Sequence, residues 1–498
     1  MTNEGREIPY VIAARPRVTT PADVGRRPVV YVQGNIHGGE VEGKEALLAL
    51  LRDLTSSPAP NVLDSVVLIA VPVYNADGND RFAHQELNRG SQNGPEIVGV
   101  RTNAQGFDLN RDYIKAEAPE TRASLAMLNR WNPDVFVDLH ATNGSYHGYA
   151  LTYAPPLNPA SPMGAYTRDS IMPALRARMQ SRHGIPTFDY GDFISADTLS
   201  KGWVTFDSRP RFGTNYFGLR GKISILSEAY SHDPFERRVK STYAFVGEIL
   251  SMVGEDAREL RRWRSGSVLP ADGRGDAWSY FESWPPGPNL NHPAQRDAQA
   301  IYRAIPIRSQ MAAAPDSVAV VAEVVEATGD SARTEPGVPK GRRRTGRYVT
   351  EKMPVFERFE PTLRVPMPER YVIPAKDTAV ARLLREHGIV VRVAADAFPG
   401  TDLVGNGFVF MIDSVVVASR PFQGHREVRL TGKWRGETRK IEPGSFIVDM
   451  SQPLSLLAVY LLEPQSDDGL VTWNFFDSDL RTGGLYPVFR VGGLPPSP

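Results

Sequence analysis

The sequence predicts an α/β fold with a mixed, largely parallel sheet flanked by helices, followed by a smaller C-terminal α+β or β-rich domain. Apolar segments of strand length alternate with helix-length segments through the first half of the chain, and the composition changes near Ser265. A chain of 498 residues is also too long for one ordinary core. We therefore expect an N-terminal domain at residues 1–264, an irregular linker at 265–347 and an accessory domain at 348–498.

The elements of the N-terminal half follow from the order of its apolar segments. The expected strands are Ile8–Ala13, Val29–Gln33, Ser65–Tyr74, Val135–Leu139, Tyr149–Tyr153 and Lys222–Leu226. The expected helices are Val41–Leu54, Pro119–Arg130, Gly164–His183 and Phe235–Arg262. Sheets built from such alternating units bind ligands beyond the carboxyl ends of their strands, so that edge is the place to look for a site.

The C-terminal half has a different pattern. Trp284–Pro288 and the small, polar stretch Ala312–Arg347 are typical of linkers or long loops. Arg370–Ala394 has a strand–helix–strand pattern with its helix at Thr378–His387. Gly407–Leu462 predicts several short strands, which gives the accessory domain its β-rich character.

The composition excludes several classes of function. Lys plus Arg and Asp plus Glu number 57 each, so no overall charge selects nucleic acid or an anionic membrane. The basic run Lys340–Arg344 lacks interleaved aromatic residues, and we expect an exposed loop there rather than a nucleic-acid-binding patch. The chain has no cysteine, so any metal ion must be held by His and carboxylate side chains.

Targeting signals are not evident in this sequence. No apolar segment approaches the roughly 20 residues that a membrane-spanning helix needs. The polar N-terminus Met1–Ile8 does not have the apolar core of a signal peptide. We expect a secreted or periplasmic protein if a leader was trimmed from this end, and a cytoplasmic one otherwise. The oligomeric state does not follow from the sequence.

Four polar residues come just after apolar strand segments: His37, Asn75, His140 and Glu228. His37 is also the first residue of a His-Gly-Gly-Glu motif that ends at Glu40, in the first turn of an expected helix. Two imidazoles and one carboxylate suit a catalytic zinc ion that keeps one position open for water. Taken alone, His37, His140 and Glu228 are each more typical of a structural role, and only their combination predicts a metal site.

The segment Arg101–Tyr113 strengthens this prediction because it contains Gly106-Phe-Asp-Leu-Asn-Arg111. In this order the motifs resemble those of the zinc carboxypeptidases of the carboxypeptidase A type, peptidase family M14. The family pattern is His-x-x-Glu, Gly-x-Asp-x-Asn-Arg, a distant His, and a Glu at a strand end. The resemblance covers roughly residues 4–262 and implies a zinc carboxypeptidase-like catalytic domain, with one zinc ion per chain and peptide hydrolysis as its activity.

The resemblance also implies a role for each matching residue. His37, Glu40 and His140 are the expected zinc ligands, and Asp108 is the carboxylate expected to orient His37. Arg101 is expected to stabilise the oxyanion, and Glu228 to act as the general base. Asn110 and Arg111 are expected to bind the substrate's terminal carboxylate. The implied substrate is a peptide or small amide that carries a free carboxylate.

The sequence departs from the family pattern at three places. Asn75-Ala-Asp-Gly78 stands where the family often has Asn-Pro-Asp-Gly, and Ala141 follows the third ligand where Ser is common. The family's mobile tyrosine lies further ahead of the catalytic Glu than Tyr216 does, so Tyr216 is a candidate that is as compatible with loop packing. The side-chain preference at the cleaved residue does not follow, because the residue that sets it lies in this same loop.

Three functions remain open at this point. The first is a zinc metallocarboxypeptidase, and the second is a related zinc amidohydrolase acting on N-acyl amino acids or cell-wall peptides. The third is a non-catalytic module that contains zinc and binds C-terminal carboxylates, although such a module would need neither Glu228 nor Arg101. We expect the remaining histidines to be structural; they are His84, His147, His183, His232, His292, His387 and His425.

Overall fold

The computed structural model describes residues 1–195, 198–257, 301, 304–328, 338, 341–394 and 404–492. The expected stretch Trp284–Pro288, residue Lys340 and the last residues of the expected helix Phe235–Arg262 lie outside these ranges. Within them, none of the helices has the length and apolar character that crossing a membrane requires.

A twisted mixed sheet forms the centre of the N-terminal half. Its strands are β1 Val11–Ala13, β2 Val29–Gly34, β3 Val67–Val71, β6 Val135–Ala141, β7 Leu151–Ala154, β8 Thr187–Asp189 and β11 Ile223–Ala229. Their order across the described sheet is β1-β3-β2-β6-β11-β7-β8. The pairs at its centre, β3-β2, β2-β6 and β6-β11, are parallel, whereas β1 and β7 run antiparallel to their inner neighbours. The predicted α/β class with a mixed sheet is confirmed.

Helices cover the sheet on both faces. They are α1 Glu42–Ser56, α2 Ala76–Asp80, α3 Gln85–Asn88, α4 Pro119–Trp131, α5 Gly164–Tyr166, α6 Met172–His183, α7 Gly213–Leu219 and α8 Phe235–Glu255. One expected helix, Gly164–His183, is interrupted by a π-turn at Thr167–Ile171. Short paired strands β4 Ala83–His84 and β5 Ile97–Val98 lie in the long connection that precedes the Arg101–Tyr113 segment.

The register of the sheet determines which side chains meet at its carboxyl edge. Glu228 on β11 pairs with His140 on β6. Residues that pair across adjacent parallel strands point to the same face, so these two side chains are neighbours. Gly34, the last residue of β2, pairs with Leu139, which places the His37–Glu40 turn directly beyond the same edge.

The C-terminal half contains longer strands than its sequence suggested. Its strands are β12 Ile305–Ala313, β13 Val318–Ala327, β14 Arg342–Met353, β15 Val355–Val365, β16 Arg370–Ile373, β17 Arg392–Val393, β18 Val404–Val417, β19 Val428–Lys440, β20 Phe446–Asp449 and β21 Phe489–Val491. Two helices accompany them, α9 Thr378–Glu386 and α10 Ser455–Leu462. A mixed α and β region in this half agrees with the prediction.

Two predictions for this half are wrong. Ala312–Arg347 was expected to be linker or loop, but β13 and β14 form an antiparallel pair there. The five valines of Val318–Val325 supply the strand preference that the small residues around them obscure. Gly407–Leu462 was expected to hold several short strands, but it contains the long β18–β19 hairpin and the helix α10. Every residue of α10 is buried, so its sequence has no polar face from which helical periodicity could be recognised.

The two halves of the chain share sheets and core. Between β8 and β11, the short strands β9 Asp192–Phe193 and β10 Trp203–Val204 join a sheet with the order β12-β15-β10-β9. One apolar cluster runs from Tyr31 and Phe136 on the central sheet to Leu457 on α10. The proposed boundaries at 264 and 348 therefore remain predictions, and the segment around β9 and β10 packs as part of the C-terminal half.

Candidate active site

Asn35 and Gly38 fix the conformation of the His37–Glu40 turn, which lies just beyond β2. Asn35 takes a positive φ of 61°, and its side-chain amide donates to the carbonyl oxygens of His37, Gly38 and Glu40 at 3.1–3.3 Å. A β-carbon on Gly38 would lie 2.4 Å from the backbone carbon of Gly78, so only glycine fits there. The motif's first glycine is thus a steric requirement of the turn that aims His37 and Glu40 at the sheet edge.

Three side chains converge at this edge. His37 Nδ1 lies 2.9 Å from one carboxylate oxygen of Glu40, and His140 Nδ1 lies 3.0 Å from the other. The two Nδ1 atoms are 3.2 Å apart. All three residues are buried, and within the described ranges they are the one group of His and carboxylate ligand atoms that could hold a metal ion. The structure therefore brings together the three residues that the sequence proposed as ligands.

Each imidazole is backed by a second carboxylate. His37 Nε2 lies 3.1 Å from Asp108 Oδ1, and His140 Nε2 lies 3.1 Å from Asp138 Oδ2. The Asp108 carboxylate at His37 Nε2 keeps the proton on that nitrogen and leaves Nδ1 as an acceptor aimed into the site, which is the usual support of a metal-binding histidine. Asp138 lies at ion-pair distance from His140 and adds a negative charge behind that ring. Sequence reasoning proposed Asp108 but missed Asp138. The sequence did contain the information, because Asp138 stands two residues before His140 and residues two apart on a strand share a face.

The electrostatics of the group fit a cation. The two Nδ1 atoms and the two Glu40 carboxylate oxygens face one point. Burial opposes the charge of Glu40, but Arg89 and the histidines outweigh burial and hold its pKa well below its usual range. Burial also disfavours a charged His140, yet Asp138 and Glu40 raise its pKa. The distance of 3.2 Å between the Nδ1 atoms is close to the separation of about 3.3 Å expected for two ligands of a tetrahedral zinc ion.

Glu228 completes this edge of the sheet from β11. It is buried, and its Oε2 has no hydrogen-bond partner among the described residues. Burial raises the pKa of Glu228 to about 8; His140 opposes this shift, whereas the charge of Glu40 adds to it. A buried carboxyl group with one oxygen unpartnered among the described residues, beside a candidate metal-binding group, is placed to exchange protons, and a bound cation would lower its pKa toward neutrality.

Arg101 lies on the same side of the group. Its Nε and Nη2 atoms donate to Asp108 Oδ2 at 3.1 and 2.9 Å, and its Nη1 lies 3.7 Å from Glu40. Burial disfavours its charge, but Asp108 and Glu40 outweigh burial and raise the pKa of Arg101. The guanidinium is therefore a fixed positive charge beside the ligands, with a side chain that stays 37% exposed.

Asn110 and Arg111 stand in a short 3-10 turn, Leu109–Arg111, that Asp108 caps. The side-chain Oδ1 of Asn110 accepts from the backbone N–H of Gly213 at 2.8 Å. Its Nδ2, the donor end, lies 3.5 Å from His140 Nε2. The Arg111 guanidinium stacks over the ring of Phe212 at 3.9 Å.

Arg111 lacks a close counter-ion. Among the described residues, its ion-pair contact is Asp108 at 3.9 Å, and that carboxylate already holds His37 and Arg101. Burial lowers the pKa of Arg111, and nearby Arg101 acts in the same direction. A guanidinium in this position is stabilised by an incoming anion.

Two site residues were missed from the sequence. Arg89 Nη1 lies 2.7 Å from Glu40 Oε1, and its Nη2 donates to the carbonyl oxygens of Ala141 and Thr142. Burial raises the pKa of Tyr190, and Glu228 is the largest charged contribution to that shift. Both belong to irregular segments, where neither periodicity nor a motif marks them.

Tyr216 lies apart from the site, contrary to its proposed role. It is fully buried in α7, and its hydroxyl lies 2.7 Å from His387 Nδ1 and accepts from Arg220 at 3.1 Å. His387 in turn lies 3.0 Å from the carbonyl oxygen of Ile114. A phenol enclosed in these contacts is packed between the two halves of the chain and is not presented to a substrate.

Comparison with known proteins bears on this arrangement. Residues 1–184 match the family model described as zinc carboxypeptidase. This part of the chain is similar in sequence to the zinc carboxypeptidases. Carboxypeptidase 2 of Trichophyton rubrum is 22% identical over 98% of this chain and 81% of that protein. Carboxypeptidase D of Rattus norvegicus is 27% identical over 33% of this chain and 14% of that protein.

Solved carboxypeptidase structures also match. A metallo-carboxypeptidase from Pseudomonas aeruginosa is 18% identical, with a TM-score of 0.38 over 52% of this chain and 62% of that one. Carboxypeptidase A from Helicoverpa armigera is 15% identical, with a TM-score of 0.33 over 51% of this chain and 66% of that one. This chain thus spans less than two thirds of the length of those structures.

The family model and the relatives named carboxypeptidases support a hydrolase of the metallocarboxypeptidase class. The matched residues include the three proposed ligands and the Gly106–Arg111 segment. Glu228 lies beyond residue 184, so its assignment depends on its register with His140 and its burial.

Proposed function

We propose that this chain removes residues from the C-termini of peptides, using a zinc ion held by His37, Glu40 and His140. The observation that carries the proposal is the convergence of two imidazole acceptors and a carboxylate, each imidazole backed by a further carboxylate. Glu228 stands in register beside them with an unpartnered oxygen. A zinc ion bound there supplies Lewis acidity, which polarises a carbonyl and acidifies water.

Glu228 is the proposed general base. Its unpartnered Oε2 accepts a proton from the attacking water, and the same carboxyl group then donates it to the leaving amine. Its pKa, raised by burial to about 8, is compatible with both steps near neutral pH once a cation lies nearby.

Arg101 is the proposed oxyanion stabiliser. Its guanidinium is fixed by Asp108 and keeps part of its surface exposed beside the ligand group. Because the charge on the scissile carbonyl oxygen develops only as the water attacks, this interaction strengthens in the transition state.

The choice of an exopeptidase depends on Arg111 and Asn110. Arg111 is a partly buried guanidinium whose nearest described carboxylate already holds His37 and Arg101, and the Asn110 amide nitrogen makes only a long contact of 3.5 Å with His140 among the described residues. A terminal carboxylate would satisfy both groups with charge-assisted hydrogen bonds. Tyr190, whose pKa is raised by burial and by the nearby charge of Glu228, replaces Tyr216 as the proposed phenol of the site.

The second candidate, an amidohydrolase of N-acyl amino acids or cell-wall peptides, uses the same groups. Such substrates also present an amide beside a free carboxylate, so Arg111 favours both functions equally. The buried Glu228, whose Oε2 has no hydrogen-bond partner among the described residues, argues against the third candidate, a non-catalytic module, because binding a carboxylate does not require a proton acceptor beside the metal ion.

The test combines metal analysis with a matched set of substrates. The purified chain is analysed for bound zinc and assayed on N-blocked dipeptides with free C-termini, on their amides, and on N-acyl amino acids. We expect about one zinc ion per chain and hydrolysis of the free-acid dipeptides alone. Equal hydrolysis of the amides would contradict an exopeptidase, and hydrolysis confined to N-acyl amino acids would select the second candidate.

A further inference from the structure

The β18–β19 hairpin ends in a tight turn that reaches the active site. Residues 418–427 form this hairpin tip, in which Phe422 and His425 exchange two backbone hydrogen bonds at 2.7 and 3.0 Å. Between them, Gln423 and Gly424 both take positive φ values, 49° and 83°. Two successive residues with positive φ are typical of the two-residue turns that favour a tight hairpin.

The hairpin tip is fastened to the N-terminal half at two points. His425 Nε2 lies 2.9 Å from Glu117 Oε1, and Glu427 accepts from the buried Arg211 at 2.7 Å. The ring of His425 packs edge-on against Trp473 at 5.4 Å. These contacts hold the tip in a fixed position against the Arg101–Tyr113 segment.

Gln423 makes the contact that matters for the site. Its Oε1 accepts from the backbone N–H of Asp108 at 3.0 Å, across 315 positions in sequence. The Asp108 carboxylate lies 3.1 Å from His37 Nε2 and accepts from Arg101 Nη2 at 2.9 Å. The backbone of Asp108 therefore sets the position of a carboxylate that holds both a proposed ligand and the proposed oxyanion stabiliser.

The turn itself does not explain a glutamine at this position. Positive φ favours Gly, Asn and Asp, and a Gln side chain gains nothing there from the backbone conformation. A residue that breaks a local preference at the end of a long hairpin needs another reason, and the hydrogen bond to Asp108 supplies one.

We propose that Gln423 is a positioning residue of the active site, by which the C-terminal half fixes Asp108 and, through it, His37 and Arg101. The part of this inference that concerns Arg101 rests on the proposed function. The part that concerns the position of His37 does not. Arg111 has its own supports, a hydrogen bond to the Asn110 carbonyl oxygen and the stack on Phe212. Loss of the Gln423 contact should therefore affect turnover and zinc retention more than substrate binding.

Two variants remove the contact and keep the turn. Gln423→Asn shortens the side chain by one methylene, and Gln423→Gly removes it; both residues accept positive φ more readily than glutamine does. Arg420→Gln, an exposed residue of the same tip, is the matched control. The full chain is used throughout, with kcat, KM, melting temperature and the rate of zinc loss to a chelator measured for each variant.

We expect both Gln423 variants to lower kcat about three- to tenfold, to change KM less than about twofold and to lose zinc several-fold faster. This effect is smaller than the roughly 10- to 100-fold cost of removing a group that touches a metal ligand directly, because Gln423 acts one contact further away. The melting temperatures of both Gln423 variants should stay close to that of the wild type. All four measured properties of Arg420→Gln should also stay close to the wild-type values.

The outcomes separate this inference from the proposed function. Unchanged kcat and zinc loss in both Gln423 variants, in a wild type that hydrolyses peptides, would overturn the positioning role and leave the proposed function standing. A wild type without peptidase activity would contradict the proposed function, while the rate of zinc loss would still test Gln423. Equal defects in Arg420→Gln would show a general effect of the hairpin tip and would also overturn the inference.

Discussion

The ligand group and the hairpin tip are built in opposite ways. His37, Glu40 and His140 come from the ends of two adjacent parallel strands, so the sheet alone brings them together. Gln423 reaches the same site from a hairpin 315 residues beyond Asp108, through a contact that no regular sheet geometry implies. The central sheet therefore positions the proposed zinc ligands, whereas the C-terminal half contributes a contact that positions Asp108 behind one of them.

This difference suggests where the molecule tolerates change. Residues placed by the sheet share their backbone with the core of the N-terminal half, so a substitution there removes a chemical group without moving the others. Residues placed by contacts between the halves affect chemistry only through an intermediate, as Gln423 does through Asp108. Variants of the two kinds should differ in the size of their effect and in the property that changes.

The largest expected effect is on the metal itself. His140→Ala removes a proposed ligand and leaves His37 and Glu40 without a third donor, so we expect zinc occupancy to collapse and hydrolysis to disappear. Asp138→Asn, which keeps the ligand but replaces the carboxylate behind it, should bind zinc roughly 10- to 100-fold more weakly. Elemental analysis and chelator competition measure both. Full zinc occupancy in His140→Ala would remove it from the ligand set.

Glu228→Gln tests the general base. Glutamine has nearly the same shape but cannot take the proton, so kcat should fall by roughly 10²–10⁴-fold while zinc remains bound. Steady-state kinetics on an N-blocked dipeptide, with zinc content measured in the same preparation, gives both quantities. A loss in kcat below about tenfold would assign the proton transfer to another group.

The metal-binding group was predictable because its geometry is that of strand ends. His37 and His140 follow apolar segments, and parallel strands bring such positions to one edge. Asp138 was also within reach, since it stands two residues before His140 on the same strand face. The role of Glu228 could be proposed for the same reason, and its pairing with His140 supplies the spatial argument that the sequence lacked.

The remaining features depend on contacts between distant segments. Arg89, Tyr190 and Gln423 lie in turns and irregular loops. Such segments have no periodic sequence pattern from which the position of a side chain can be predicted. The helix α10 was read as a strand because a fully buried helix has no polar face. Tyr216 was assigned from a motif position, and its contact with His387 became visible only when the two halves were seen together.

The proposed function assigns Arg101 to the transition state of the substrate and Arg111 to its ground state. Arg101→Gln should lower kcat by about 10- to 100-fold with little change in KM, because it acts on charge that develops in the transition state. Arg111→Ala should raise KM for free-acid substrates by at least about tenfold, because it binds charge already present in the ground state. The control is the matching amide substrate, on which Arg111→Ala should have little effect. The same kinetic change from both variants would contradict this division.

The smallest expected effect concerns Tyr216, which joins the two halves. Tyr216→Phe removes a hydroxyl that contacts His387 and Arg220 and leaves the ring to pack against Tyr113. Because the buried His387 nitrogen then has no partner at that position, the free energy of unfolding should fall by about 1–2 kcal/mol, measured by urea denaturation. The values of kcat and KM should stay within about twofold of the wild type, since the hydroxyl is enclosed between the halves. Tyr190→Phe is the contrasting variant, because its phenol lies near Glu228, and it should alter the kinetics instead. A large loss of kcat in Tyr216→Phe with unchanged stability would return Tyr216 to the active site and remove the distinction between residues that join the halves and residues that meet the substrate.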